Sequence, residues 1–241
     1  MAPPRRVLIA VPSTHAPLYD EEEETGLFII EALHPFIVFS SEGFEVDFVS
    51  ETGEWFPDYL STATKYLNPI DRHLYENAEN GFRIRLSSIE EPSSVNPSDY
   101  GIFFASSGRA ALIDYPKASG LQSLASSIYY GKQGILSAVS HGGVLFRGIK
   151  GTESRKSVIT EKMVTGFPME GEEEEGVLEK ITKLGVKTLP ESFSEVDAMY
   201  LPPYAPFELF TVEDERIVTG ANPASARATA LKAVEIFERL T

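Results

Sequence analysis

Short runs of β-branched and aromatic residues recur along this 241-residue chain with helical stretches between them, and that alternation constrains the fold more than any other feature. A strand buried on both faces reads as a continuous apolar run, and parallel strands need a crossover between them. The pattern therefore predicts a central, mostly parallel sheet sandwiched by helices. The strand candidates are Val7 to Val11, Val46 to Val49, Ile102 to Ala105, Ile135 to Val139 and Met163 to Thr165. Between the third and fourth, Leu121, Leu124, Ala125 and Ile128 follow the i, i+3, i+4, i+7 spacing of an amphipathic crossover helix. Near the C-terminus Asn222 is placed to cap, and Pro223 to open, a helix whose Ala230, Leu231, Val234 and Phe237 form one stripe. Just before it, Phe210 to Val212 and Arg216 to Val218 flank Glu213-Asp214-Glu215 as a hairpin without a turn glycine, its register left open. The stretch from Glu51 to Pro97 breaks the alternation. It is long, rich in tyrosine and polar residues and punctuated by Pro57, Pro69, Pro92 and Pro97, and it reads as a small cap inserted into one domain that spans residues 1–241.

That length suits a single large domain, and 42% hydrophobic with 24% charged residues can supply a sizeable core. The net charge of −15 repels nucleic acid and anionic membrane surfaces, so neither is expected as a partner. With no cysteine, the chain has no disulfide framework and no thiolate for metal chemistry. The apolar run after Met1-Ala2-Pro3-Pro4-Arg5-Arg6 extends only from Val7 to Val11, too short for a signal peptide or a membrane span, and the expected location is cytoplasmic. Two acidic runs, Asp20 to Glu24 and Glu172 to Glu175, read as solvated surface.

The most informative segment runs from Ile135 to Phe146, where an apolar strand meets Ser140-His141-Gly142-Gly143 and then an apolar helix start. This is the pattern of a nucleophile elbow, which would push the Ser140 hydroxyl into a cleft beside free helix N–H groups. The alternative is that Ser140 only caps that helix. His141 is one of four histidines, with His15, His34 and His73, and its place at the elbow favours a functional role. No H-E-x-x-H or similar cluster is present, so no metal site is expected. Pro12-Ser13-Thr14 follows the first strand in place of G-x-G-x-x-G, and no Walker loop exists, so nicotinamide, flavin and nucleotide cofactors lack their usual motifs. Glu31 stands in an otherwise almost wholly apolar helix, Gly26 to Phe36. If it points into a cleft, desolvation tunes it towards a general acid or base near neutral pH.

These segments resemble the ThiJ/PfpI superfamily, specifically its fungal branch of heat-shock-protein-31-type glyoxalases III. The matches are T-G-L-F-I-I-E-A-L-H-P-F at Thr25 to Phe36, G-F-E-V-D-F-V-S-E-T-G at Gly43 to Gly53, I-F-F-A-S-S-G at Ile102 to Gly108, D-Y-P-K-A at Asp114 to Ala118, A-V-S-H-G at Ala138 to Gly142 and V-T-G-A-N-P-A-S-A at Val218 to Ala226. The resemblance implies a flavodoxin-like α/β/α sandwich with a small inserted cap, commonly a homodimer. It also implies cofactor-free conversion of methylglyoxal to D-lactate by an elbow cysteine, the histidine after it, a later glutamate and a first-helix glutamate. On this chain those positions are Ser140, His141, Glu172 and Glu31, so serine stands where the family pattern has cysteine.

Further departures fall on loops that wall the pocket in such a fold. A glycine-histidine-glycine becomes Gly108-Arg109-Ala110, histidine-glycine-proline becomes His141-Gly142-Gly143, threonine-aspartate becomes Pro168-Met169 and proline-tryptophan becomes Pro206-Phe207. Gly108, Arg109, Gly142, Met169 and Phe207 are accordingly expected at the substrate, with Arg109 suited to a carboxylate or polarised carbonyl. A serine hydroxyl does not replace a low-pKa thiolate without a strong adjacent base. The expectation is therefore a cofactor-free enzyme of small-molecule metabolism, as in a fungal natural-product pathway, using lyase-, isomerase- or cyclase-type acid/base chemistry. Its catalytic residues would be Glu31, Ser140, His141 and Glu172, with a small molecule as substrate. The alternatives are a non-catalytic stress protein or chaperone, and a glyoxalase III carrying an engineered cysteine-to-serine change.

Overall fold

The computed structural model describes residues 3–20, 23–131, 133–151 and 155–240. Six strands form the central sheet: β1 (Arg6–Ala10), β2 (Glu45–Val49), β3 (Ile102–Ala105), β4 (Ile135–Val139), β5 (Thr211–Asp214) and β6 (Ile217–Gly220). Their order is β2-β1-β3-β4-β6-β5, with every neighbouring pair parallel except the antiparallel β6 and β5. Three long helices flank it: α1 (Ile29–Ser41), α2 (Ser119–Gly131) and α3 (Ala226–Leu240). Because successive strand side chains point to opposite faces, Val7, Ile9 and Val11 join Phe104, α1 and α3 in one core, while Leu8, Ala10, Phe103 and the α2 stripe form the other. The result is the flavodoxin-like α/β/α sandwich, with α2 crossing between β3 and β4.

Two local readings need correction. Met163–Val164 is a strand, but it pairs with Met199–Tyr200 in a separate two-stranded sheet and never joins the central one. In α3, Leu231 is 41% exposed, and the buried stripe runs through Ala226, Ala230, Ala233, Val234 and Phe237. Asn222 caps a 3₁₀ turn over Pro223–Ser225 that leads into that helix. The hairpin closes through Glu215 and Arg216, with Ile217 opposite Asp214 and Glu215 supplying the left-handed residue at φ 54° that a glycine would ordinarily give.

Residues 51–97 fold as turns around two short helices, Pro69–Glu76 and Gly81–Ser87, capped by the Asn68 and Asn80 side chains. Leu67, Phe82 and Leu86 are fully buried there, with Phe82 packed edge-on against Phe36 and Phe48. Glu90 also exchanges backbone hydrogen bonds with Phe48 and Ser50, so this segment shields the outer edge of β2. Glu21 and Glu22 of the first acidic run lie outside the described residues. Among the described residues, no helix is long and apolar enough to cross a membrane.

Candidate functional site

The loops that leave the C-terminal ends of β1, β3 and β4 converge where the strand order reverses, the usual place for a ligand in an open α/β sheet. Ser140 follows β4 directly and sits at φ 54°, the left-handed conformation that costs a non-glycine residue on the order of 1 kcal/mol. It opens a 3₁₀ helix, Ser140–Gly148, without capping it, so the elbow reading holds over the capping one. Gly142 lets that helix lean on β3, since a Cβ there would stand 2.3 Å from the Ala105 carbonyl oxygen. After β3, the backbone of Gly108 takes φ +142° and passes so near Gly26 that a Cβ would meet its carbonyl oxygen at 2.0 Å.

From the elbow a chain of polar contacts runs outward. Ser140 Oγ lies 3.2 Å from His141 Nδ1, His141 Nε2 lies 2.6 Å from Glu172 Oε1, and Arg109 Nε donates to Glu172 Oε2 at 2.6 Å. Burial pushes the Glu172 carboxyl up, but the charges of Arg109 and His141 outweigh it and hold the group below the ordinary carboxylate range. An ionised carboxylate only accepts, so Glu172 takes the Nε2–H of His141, and the ring turns its Nδ1 towards the Ser140 hydroxyl. Arg109 Nη1 donates in turn to Tyr19 Oη at 3.1 Å, and that hydroxyl donates to Asp58 at 2.8 Å.

Glu31 lies on the other side of Ser140. It is 1% exposed, and Ser107 Oγ donates to its Oε2 at 2.5 Å while accepting the His141 backbone N–H at 3.2 Å. Burial raises the Glu31 carboxyl to about 8, against the opposing hydrogen bonds of Ser107 and Ser140. A carboxylic acid poised near neutrality therefore faces the elbow hydroxyl from one side, and a histidine oriented by an ionised glutamate faces it from the other. The cleft they floor holds about 310 Å³ of space, its open mouth included, with Phe28, Tyr66, Phe167 and Phe207 on its walls.

Of the residues singled out from sequence, Glu31, Ser140, His141 and Glu172 are brought together, and Gly108, Arg109 and Phe207 line the cleft. Of the residues expected at the substrate, two do not belong to its lining. Met169 is 39% exposed at the start of a short helix, Met169–Glu174, and Gly142 is spent on close packing against β3. The Arg109 charge is already met by Glu172, so it is not the free anion receptor expected of it. The second acidic run is likewise not simply solvated: Glu172 is buried, and the Glu175 side chain bonds Lys65 and Tyr66. His15 pairs with Glu24 and His34 with Asp71, neither at the cleft lining. Sequence reasoning missed Tyr19, Asp58, Ser107, Tyr66 and Glu175. Only Ser107 carried a signal, the second of two serines that follow a fully apolar strand. Among the described residues, no group of three or more His, Asp or Glu side chains is arranged to hold a metal ion.

A mostly parallel sheet of this order, with a polar residue held at φ > 0 between β4 and the next helix, defines a flavodoxin-like α/β protein with an elbow site. The comparisons agree. The glutathione-independent glyoxalase HSP31 of Saccharomyces cerevisiae is 41% identical over 235 residues, which cover 98% of this chain and 99% of that one. Glyoxalase 3 of Candida albicans is 38% identical over 97% of this chain and 98% of its own. The crystal structure of glyoxalase III from that organism superposes with a TM-score of 0.94 over 97% of this chain and 98% of that one. A ThiJ/PfpI domain protein from Brachyspira murdochii, 13% identical, shares the fold at a TM-score of 0.58 with each chain fully covered. No family model matches the chain. The chain belongs to the family of glutathione-independent glyoxalases.

Proposed function

We propose that this protein is a cofactor-free enzyme that acts on a small α-oxoaldehyde by proton transfer, with Glu31 as the acid/base and without covalent addition to the elbow residue. The observation that carries this reading is the Glu31 carboxyl, fully buried and raised to about 8 beside the Ser140 and Ser107 hydroxyls. A serine hydroxyl offers no anion near neutrality, whereas a thiolate does. The reaction does not require one. The gem-diol hydrate of methylglyoxal is an isomer of lactic acid. Ionised Glu31 takes the proton from C1, and the electron pair left behind forms the C1–C2 double bond of an enetriolate while the ketone oxygen gains a proton from a diol oxygen. Protonated Glu31 then returns its proton to C2. The Ser140 hydroxyl, which both donates and accepts, suits the relay between the two oxygens. His141, fixed by Glu172, keeps the Ser140 hydroxyl oriented, so atoms and charge balance with no thiol, metal or redox partner.

The test is conversion of methylglyoxal in deuterium oxide followed by proton NMR. The expected product is lactate with solvent deuterium at C2, because the proton held by Glu31 exchanges with solvent at the open cleft before it is delivered to C2. Glu31→Gln is expected to lower kcat by about a hundredfold or more, the lower bound for loss of a general acid/base. Ser140→Ala is expected to retain the larger residual rate. Ser140→Ala as inactive as Glu31→Gln, together with a mass adduct on Ser140 of the native enzyme, overturns the non-covalent reading. Absence of any turnover of α-oxoaldehydes overturns the activity itself.

A further inference from the structure

A second cavity of about 190 Å³, open on one side, adjoins the cleft. The two share Tyr66, Phe207 and Pro223 as common walls, and Ile30, the residue before Glu31, faces the second cavity while Glu31 faces the first. The adjoining space therefore lies beside the Tyr66 and Phe207 rings, next to where a ligand's reacting carbons would rest on Glu31.

The chemistry of that space follows from which of its polar atoms are already engaged. The Lys65 ammonium bonds Glu175 and lies over the Tyr66 and Phe207 rings, and the Tyr66 hydroxyl also bonds Glu175. The Asn222 amide nitrogen donates to the Pro206 and Glu208 carbonyls, and its oxygen accepts from Ser225. What remains for a ligand is the Ile30 side chain, two aromatic rings, Pro223 and Ala224. Phe28 meets Tyr66 edge-on at 5.0 Å between centroids and Phe167 meets Phe207 at 5.9 Å, so the walls already have the geometry in which a further ring packs favourably.

We infer that this adjoining cavity is a subsite for an aromatic ring, which makes aryl-substituted α-oxoaldehydes the preferred substrate class over methylglyoxal. The inference rests on the proposed carbonyl chemistry for its kinetic arm alone, because binding of the 2-hydroxy acid products tests the subsite without turnover. Ala224 is exposed on the 3₁₀ turn over Pro223–Ser225, so Ala224→Phe fills the cavity without entering the core. Initial rates with phenylglyoxal and methylglyoxal, and calorimetric titration with mandelate and lactate, are compared in the native protein and in Ala224→Phe. The expected result is a kcat/KM for phenylglyoxal at least tenfold above that for methylglyoxal and mandelate binding at least tenfold tighter than lactate, both ratios collapsing towards one in the variant. Equal ratios in the two proteins overturn the subsite, as does the lack of measurable mandelate binding at millimolar concentration. A mandelate preference abolished by Ala224→Phe, with neither aldehyde turned over, upholds the subsite and overturns the proposed reaction.

Discussion

Glu31 occupies the first turn of α1, where the helix dipole favours a carboxylate by about 0.3–1 kcal/mol. Burial acts against that and prevails, because a rise from 4.5 to about 8 corresponds to about 5 kcal/mol disfavouring the ionised form. The stability tied to this group is fully present below pH 4.5, where it is protonated folded and unfolded alike, and is lost as pH rises through 8. Glu31→Gln keeps an acceptor for Ser107 and removes the titration. Its Tm is expected to match that of the native protein near pH 4.5 and to exceed it at pH 9, as read by thermal unfolding across that range. A gap that shrinks with rising pH contradicts the assignment. The same ionisation sets the reaction proposed above, whose rate is expected to climb with pH towards a plateau above about 8.

Among the elements, the loop leaving β3 is the most constrained. Gly108→Ala places a methyl group on the Gly26 carbonyl oxygen and forces an L-residue to φ +142°, so something in the backbone must shift. The expected loss is about 3 kcal/mol or more in chemical denaturation, with Arg109 displaced from Glu172 and activity lost. Gly131→Ala in the last turn of α2, where a Cβ meets nothing, is expected to be neutral or stabilising by up to about 1 kcal/mol. The elements that were legible in sequence share one physical property. Strands β1, β3 and β4 are covered on both faces, so they print as unbroken apolar runs, and the α2 stripe prints at helical spacing. Met163–Val164 carries the same composition, but strand composition says nothing about which partner supplies the hydrogen bonds. Leu231 matched the stripe of α3, yet that helix's face is set by how closely it lies on α1 and the sheet, which favours Ala230 and Ala233. The carboxylate, serine and histidine of the site stood out because each interrupts an apolar segment. Tyr19 and Asp58 did not, because their contact spans 39 positions of ordinary loop sequence.

For the molecule as a whole, the buried acids disagree about pH, and their balance sets where it is most stable. Asp114 receives the Ser13 and Thr14 backbone N–H groups at 2.6 and 3.1 Å, yet its Oδ1 has no partner, and burial raises it from 3.8 to about 6. With Glu31 it makes stability fall as pH rises through 6 and then 8. Glu172 acts in the opposite sense, since its depressed folded value contributes stability that disappears as pH drops below the carboxylate range. The net charge of −15 at pH 7 adds self-repulsion that eases on acidification. Tm is therefore expected to peak between pH 4.5 and 6 and to decline towards pH 9, and a peak at pH 8 in a buffer series contradicts this balance. The Asp58 carboxylate, gathered by the Tyr19 and Thr25 hydroxyls and by the Gly26, Leu60 and Ser61 backbone N–H groups, bears on a different matter, the inheritance of the segment 51–97. That segment is not a cassette. A recombination joint at residue 51 separates Asp58 from Tyr19, and through Tyr19 from the arginine that steadies Glu172, so a graft from another family member carries its reactivity along only when the crossover lies upstream of Tyr19.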